Sequence, residues 1–165
     1  MEPSARNESI ERYRTAERAI IVAIDHVTDG EMDVRLDPKG WSVREVIHYL
    51  ADSQLLQSVR LRRMLTENTP VLTPWDKSHY SERLHYARPI ATAVALFRAT
   101  VEDDIELLLS LTDDQWRREG NQQKPWHLTV ESWLEENVVR LRGHLLEVMN
   151  AHSGGRVIPD PEPEH

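Results

Sequence analysis

Residues 41–53 read WSVREVIHYLADS, and this stretch decides the fold. Ser42 followed by Glu45 has the form of a capping box, in which the Ser hydroxyl accepts from the Glu45 amide and the Glu carboxylate accepts from the Ser42 amide. Trp41 before the cap and Val46 just inside it form a hydrophobic staple. A helix is therefore predicted from Val43 to about Thr66, closed by Asn68, Thr69 and Pro70. Val43, Val46, Ile47 and Leu50 recur at helical spacing as its buried stripe, while Glu45, His48, Tyr49 and Asp52 lie on the flank beside it.

Upstream, Ser4 to Val27 is a second periodic segment, with Ile10, Tyr13, Ala16, Ile20, Ile24 and Val27 on one side and Glu11, Arg14, Glu17 and Arg18 opposite. Thr28, Asp29 and Gly30 end it, and the turn from Asp37 to Gly40 delivers the chain to Trp41. Downstream, VLTPWDKSHYSERLHYAR (71–88) has no sustained period, which in a compact domain marks a functional segment or a hidden element. Pro89 suits a first helical position, and Ala93, Leu96, Phe97, Thr100, Ile105 and Leu108 give the third long helix an apolar side ending near Ser110. Thr112 and Gln115, stapled by Leu111 and Trp116, predict a brief helix over Asp113–Arg118. Gly120–Trp126 reads as a loop. Thr129 caps the last long helix, whose stripe of Leu134, Val138, Leu141, Leu145 and Val148 alternates by four and three residues as a bundle seam does.

Four long amphipathic helices without a strand signal predict an all-α fold, a four-helix bundle with a long crossover connection between helices 2 and 3. Parallel neighbours in a bundle need a connection that spans its length. Residues 1–152 are expected to form a single domain. Residues 153–165, rich in Pro, Gly and acid, are expected to be a disordered tail.

Composition excludes several classes. The chain of 165 residues contains no Cys, so thiolate metal sites and cysteine nucleophiles are ruled out. A formal charge of -8 opposes nucleic-acid binding, which draws its affinity from Lys and Arg. The one basic cluster, Arg60, Arg62 and Arg63, reads as a solvated face. No apolar run approaches the roughly 18 to 20 residues of a membrane span, and the N-terminal stretch is too acidic for a signal peptide. A cytoplasmic protein without membrane or nucleic-acid partners is the expectation.

Beside the seam of the last helix runs a second line, Trp133, Asn137, Arg140 and His144, on one face. In bundles such residues commonly build a site with a facing helix, here the flank of 43–66. A pocket shared by His48, Tyr49, Asp52, Arg140 and His144 is thus expected. Plain alternatives stand next to it: Arg140 paired with Glu136 four residues earlier, His48 bonded to Asp52, His144 satisfied near the core and Tyr49 packing with its hydroxyl at a pocket mouth. Trp75, Trp126, His79, His85 and His127 lie in loops, as a lid or as surface decoration.

The sequence resembles the DinB-like superfamily, in particular its YfiT-like branch, over roughly Ile10 to Asn150. The resemblance rests on WSVREVIHYLADS, on SVRLRRMLTENTPVL (58–72), on Trp116–Gly120 and on TVESWLEENVVRLRGHLLEV (129–148). It implies a four-helix bundle, often a homodimer, in which many members hold zinc or nickel through one His on helix two and two His four apart on helix four. Some members are thiol transferases using bacillithiol or mycothiol, and others are named as metal-dependent hydrolases. In the family register the helix-two ligand, eight residues past the Trp, falls on Tyr49, with His48 just before it. The two helix-four ligands fall on Arg140 and His144.

A guanidinium cannot shed its proton to accommodate a metal ion. The expectation is therefore a bundle without the usual three-His centre and without a cofactor. It would bind a small, anionic ligand through Tyr49, Asp52, Asn137 and Arg140, with Arg140 supplying the positive charge. The alternative is a metal-dependent hydrolase or thiol S-transferase with a remodelled divalent zinc or nickel site. It would use His48 and His144, with Asp52 or Glu136 completing the set. The third reading is a scaffold whose pocket is filled by its own Arg, Asp and Tyr side chains.

Overall fold

The computed structural model describes residues 1–35, 37–122 and 126–152. The expected tail at 153–165 and the tip of the 120–126 segment lie outside the described residues. The elements in order are α1 (Pro3–Asp25), α2 (Val43–Thr66), α3 (Tyr80–Arg83), α4 (Ala91–Leu109), α5 (Asp113–Trp116), β1 (Glu119–Gln122), β2 (Trp126–Thr129) and α6 (Val130–His152). The four long helices are those the periodicity predicts. At the start of α2 the Glu45 amide donates to Ser42 Oγ at 3.3 Å and the Ser42 amide donates to Glu45 Oε2 at 2.7 Å. Thr112 and Gln115 make the second capping box, although α5 stops at Trp116 rather than Arg118. Thr129 Oγ1 accepts from the Ser132 amide and so caps α6. Pro89 lies two residues before α4 instead of in its first turn.

Residue contacts between helices fix their directions. Arg6 reaches Glu131 and Ser9 reaches Glu135, so α1 and α6 run parallel. Glu17 pairs with Arg98 at 3.6 Å while Tyr13 and Asp104 share Gln54, so α1 and α4 are antiparallel. Trp133 meets Gln57, Arg140 meets Ser53 and His144 meets Tyr49, so α2 and α6 are antiparallel as well. It follows that α2 and α4, which pack together, are parallel. Parallel neighbours require the crossover at 67–90. Each of α1 and α2 packs on α4 and α6. The two successive helices thus occupy opposite corners of the bundle.

A β-hairpin is present where the sequence predicts only a loop. Gly120 pairs with Leu128 and Gln122 with Trp126 in antiparallel register. The residues of β1 have weak strand propensity, and what holds the hairpin is tertiary. The Leu72 amide donates to the Asn121 carbonyl and the Asn121 amide to the Pro70 carbonyl, both at 2.8 Å. Leu72 and Leu128 are buried beneath. Gly120 is needed there because a Cβ would stand 2.5 Å from Leu72 Cδ1.

The crossover is tied to α2 along its length. Leu72 and Tyr86 are fully buried. Arg60 and Arg63 donate to the carbonyls of Thr73 and Val71. Ser81 donates to Glu45, and the Tyr86 hydroxyl donates to Asp52 at 2.7 Å. Among the described residues no helix is long and apolar enough to cross a membrane.

Candidate functional site

Successive residues on a helix point about 100° apart, and this separates the flank of α2 into two groups. His48 and Asp52, four residues apart, both face the crossover. His48 Nε2 lies 2.9 Å from the Arg88 carbonyl oxygen and Nδ1 lies 3.1 Å from Arg88 Nη1. A carbonyl can only accept and a guanidinium can only donate, so the ring is neutral, with its proton on Nε2. Tyr86 stacks on it at 5.3 Å. Asp52 takes the Tyr86 hydroxyl, so the expected His48–Asp52 bond does not form.

Burial pushes the His48 imidazole below its ordinary value, against the Arg88 carbonyl, which favours the proton. The linkage has one sign. Above the unfolded value of about 6.5 both states are neutral, and below it the unfolded chain takes up a proton that the folded chain resists. Stability should be full above that pH and decline as pH falls towards the lower folded value. Urea midpoints at pH 7.5 and 5.0 should therefore separate more in the wild type than in His48→Gln.

On α6, Asn137 and Arg140 point into the bundle. Arg140 Nη1 donates to Ser53 Oγ at 2.9 Å, and Nε and Nη2 donate to Asn137 Oδ1 at 3.3 and 3.0 Å. Nη2 also donates to Gln54 Oε1. The expected pair with Glu136 is absent, because Glu136 is exposed and Arg140 is turned to α2. All four acceptor contacts are to neutral oxygens, and burial works against the charge.

Gln54 passes that charge on. Its Nε2 donates to the Tyr13 hydroxyl at 2.6 Å and to Asp104 Oδ2 at 3.0 Å. Asp104, fully buried on α4, also accepts from Ser58 Oγ at 2.5 Å and Arg62 Nη1 at 2.8 Å. Burial pushes its carboxyl above the usual range, against these donors. Arg62 thus lies at the edge of this network, partly exposed, pairing with the surface Asp103 as well as with buried Asp104. Sequence reasoning missed Tyr13, Gln54, Ser58 and Asp104 as polar centres. Gln54, Ser58 and Arg62 at spacing four were the available signal, as was an Asp between Val101 and Ile105 on an apolar stripe.

Tyr49 and His144 face a different space, a cavity of about 480 Å³ between the 37–41 turn, α2, Lys77–Ser78 and the end of α6. Their rings meet edge to face at 5.8 Å. Trp41 packs edge to face on Tyr49, 4.7 Å away, and the Trp75 indole donates to the Tyr49 hydroxyl at 3.2 Å. Trp75 thus supports a lining residue from behind, and is held in turn by Arg60 stacked 4.4 Å from its ring. His144 Nδ1 lies 2.9 Å from Glu147 Oε2. That bond, opposed by burial and aided by the charge of Lys77, holds the Glu147 carboxyl below its usual range. Glu147 and Lys77 were not singled out from the sequence, since both look like ordinary surface charges.

The residue types set what this arrangement can hold. Of the five side chains expected to share one pocket, Tyr49 and His144 line the cavity, Arg140 sits with Asn137 in the core network, and His48 and Asp52 belong to the crossover contacts. Among the described residues no three His, Asp or Glu side chains converge as a metal-binding group. His48 has neither nitrogen free, and the position beside His144 is filled by a permanent cation. The donor set does not fit a three-imidazole centre.

Comparison with known proteins gives consistent results. The sequence profile of the DinB superfamily matches residues 12–154. A protein of Oceanobacillus iheyensis provisionally named a metal-dependent hydrolase is 30% identical over 112 residues, 68% of this chain and 65% of its own. YfiT of Bacillus subtilis, with the same provisional name, is 34% identical over 97 residues, 58% of this chain and 54% of its own. The chain thus aligns with between half and two thirds of the length of these relatives. The YfiT structure, described as a probable metal-dependent hydrolase with an unusual four-helix bundle topology, superimposes with a TM-score of 0.85 at 25% identity, covering 93% of this chain and 89% of that one. A DinB-like protein of Bacillus subtilis, YjoA, shares the fold at a TM-score of 0.63 and 11% identity, covering 93% and 96%.

Proposed function

The chain belongs to the DinB superfamily, and from that membership we propose that it is a small-molecule-binding bundle that works without the three-imidazole metal centre that the family resemblance implies. Its ligand is anionic and sits in the cavity beside Tyr49 and His144. The observation that carries this reading is the anchoring of Arg140 to Ser53, Gln54 and Asn137, at the position where the family register places a ligating His. Two unit charges 4 Å apart interact by about 4 kcal/mol at an effective dielectric of 20, so a divalent ion that close to the guanidinium would be opposed by about 8 kcal/mol. Turning the guanidinium away would strand the buried Gln54 and Asn137 oxygens that it satisfies.

The neighbouring cavity has Lys39 and Lys77 among its lining residues, which suits an anion, and Val43, Val46 and Ala151 offer an apolar wall. Metal-dependent hydrolysis, the activity in the relatives' names, and thiol transfer beside it make up the second reading. One observation favours it: Glu147 on Nδ1 leaves Nε2 of His144 free, as in an imidazole that ligates a metal. It also requires His48 to leave Arg88 and Arg140 to leave the core.

Elemental analysis and zinc calorimetry on untagged protein separate the two. The expected result is well under one ion per chain. One zinc or nickel per chain, lost on His144→Ala, overturns the proposal.

A further inference from the structure

Lys77 is an exposed residue of the crossover, yet its ammonium has a fixed place at the cavity. Nζ lies 5.2 Å from the ring centre of Trp41 and 5.2 Å from that of Tyr49, and those two rings stand at 71° to each other. A lysine side chain is ordinarily free to sample many rotamers, and the attraction of a cation to two ring faces narrows that choice before any ligand arrives. The backbone on either side is also held. Trp75 is bonded to Tyr49, and the Tyr80 amide donates to the Lys77 carbonyl at 3.1 Å. No carboxylate lies within ion-pair range of Nζ among the described residues, although Glu147 is close enough to feel its charge.

Of the other charged groups lining the cavity, Lys39 is a second cation on the 37–41 turn, and the two acids have partners of their own. Glu147 holds His144. Asp37 accepts from the Lys39 amide at 2.9 Å. Lys77 is therefore a cation held over two rings, with three N–H donors and, among the described residues, no oxygen bonded to them, at the edge of a cavity whose inner wall is apolar.

We propose that Lys77, poised over Trp41 and Tyr49, is the anchor for the anionic group of the ligand, and that the ligand class is a small organic carboxylate with an apolar body. This rests on the cavity being the binding site, as proposed above. The carboxylate meets the ammonium at the cavity mouth, and the apolar body lies against Trp41, Val43, Val46 and Ala151. The aromatic faces hold the cation in position and leave its N–H groups pointing to the ligand. Arg140, bonded within the core network, does not line the cavity.

The test uses two isosteric probes, 4-phenylbutyrate and 4-phenylbutylamine, titrated into the full chain. Affinity is read by calorimetry, and the place of binding by the Trp41 indole signal in NMR, assigned with Trp41→Phe. Phenylbutyrate should move the Trp41 signal in a saturable way. Lys77→Ala should weaken it about tenfold, the size expected for one charge-assisted hydrogen bond. Lys77→Arg should restore most of the affinity. Phenylbutylamine should not titrate.

Phenylbutyrate binding that is unchanged in Lys77→Ala overturns the assignment of the anchor while leaving the cavity reading intact. An amine that binds more tightly, and more tightly still in Lys77→Ala, shows that the ring corner is a cation site which Lys77 blocks, and overturns the proposal. If neither probe moves Trp41, the cavity reading itself fails.

Discussion

The double variant Tyr49→His, Arg140→His is expected to bind one zinc ion per chain, and the wild type well under one. The substitution puts imidazoles at both positions that the family register assigns to ligands, alongside His144. The third ligand needs no repair, because Glu147 on Nδ1 already leaves Nε2 as the free lone pair. Removing the guanidinium also removes a repulsion of about 8 kcal/mol at 4 Å. Zinc calorimetry on three proteins tests this. Wild type and Arg140→His alone should show no tight binding, and the double variant should bind with a stoichiometry of one, lost again on His144→Ala. If the double variant remains metal-free while folded, something other than these two side chains keeps the ion out.

Replacing Asp104 with Ala should destabilise the bundle by about 3 kcal/mol, seen as a lower urea midpoint with an unchanged slope. The size does not come chiefly from the ion pair. Arg62 is 39% exposed and can return to water. The cost comes from the buried donors of Gln54 and Ser58, which lose their acceptor, and from the space left in a close-packed core. Gln54 cannot turn over to compensate, because its oxygen is held by Arg140 and its nitrogen also bonds Tyr13. Asp104→Asn should recover part of the loss. Its amide oxygen can serve Ser58 and Arg62, but its nitrogen then faces the Gln54 nitrogen, donor against donor. Because the network joins α1, α2, α4 and α6, the loss should be global and cooperative.

Both predictions turn on side chains that the sequence placed with different accuracy. Arg140 was recognisable as the residue out of keeping with the family pattern. Its partners were not, since the pair with Glu136 at spacing four satisfies the local rule for helix surfaces. The local rule gave way because Arg140 faces α2, where Ser53 and Gln54 offer buried acceptors and where a lone cation would otherwise be unsatisfied. His48 illustrates the same limit. Its neighbour at spacing four is an acid, yet both of its nitrogens go to Arg88, 40 residues away. The hairpin was hidden for a related reason. The four residues of β1, Glu, Gly, Asn and Gln, carry almost no strand pattern, and their place is supported by Leu72, which bonds to Asn121 and packs under Gly120.

The sequence by itself determined the four long helices, the capping boxes of α2 and α5, the buried seam of α6 and the need for a crossover. These depend on contacts within a few residues and on periodicity, which the chain carries locally. Tertiary structure decided which polar residues meet. It placed α1 and α2 at opposite corners and sent His48 and Asp52 to the crossover. It also drew Arg140 into a buried network with Asp104 and left Tyr49, His144 and Lys77 around the cavity. The reason is physical: a buried polar group must find a partner wherever the packed helices provide one, and that partner is set by the arrangement of helices rather than by distance along the chain.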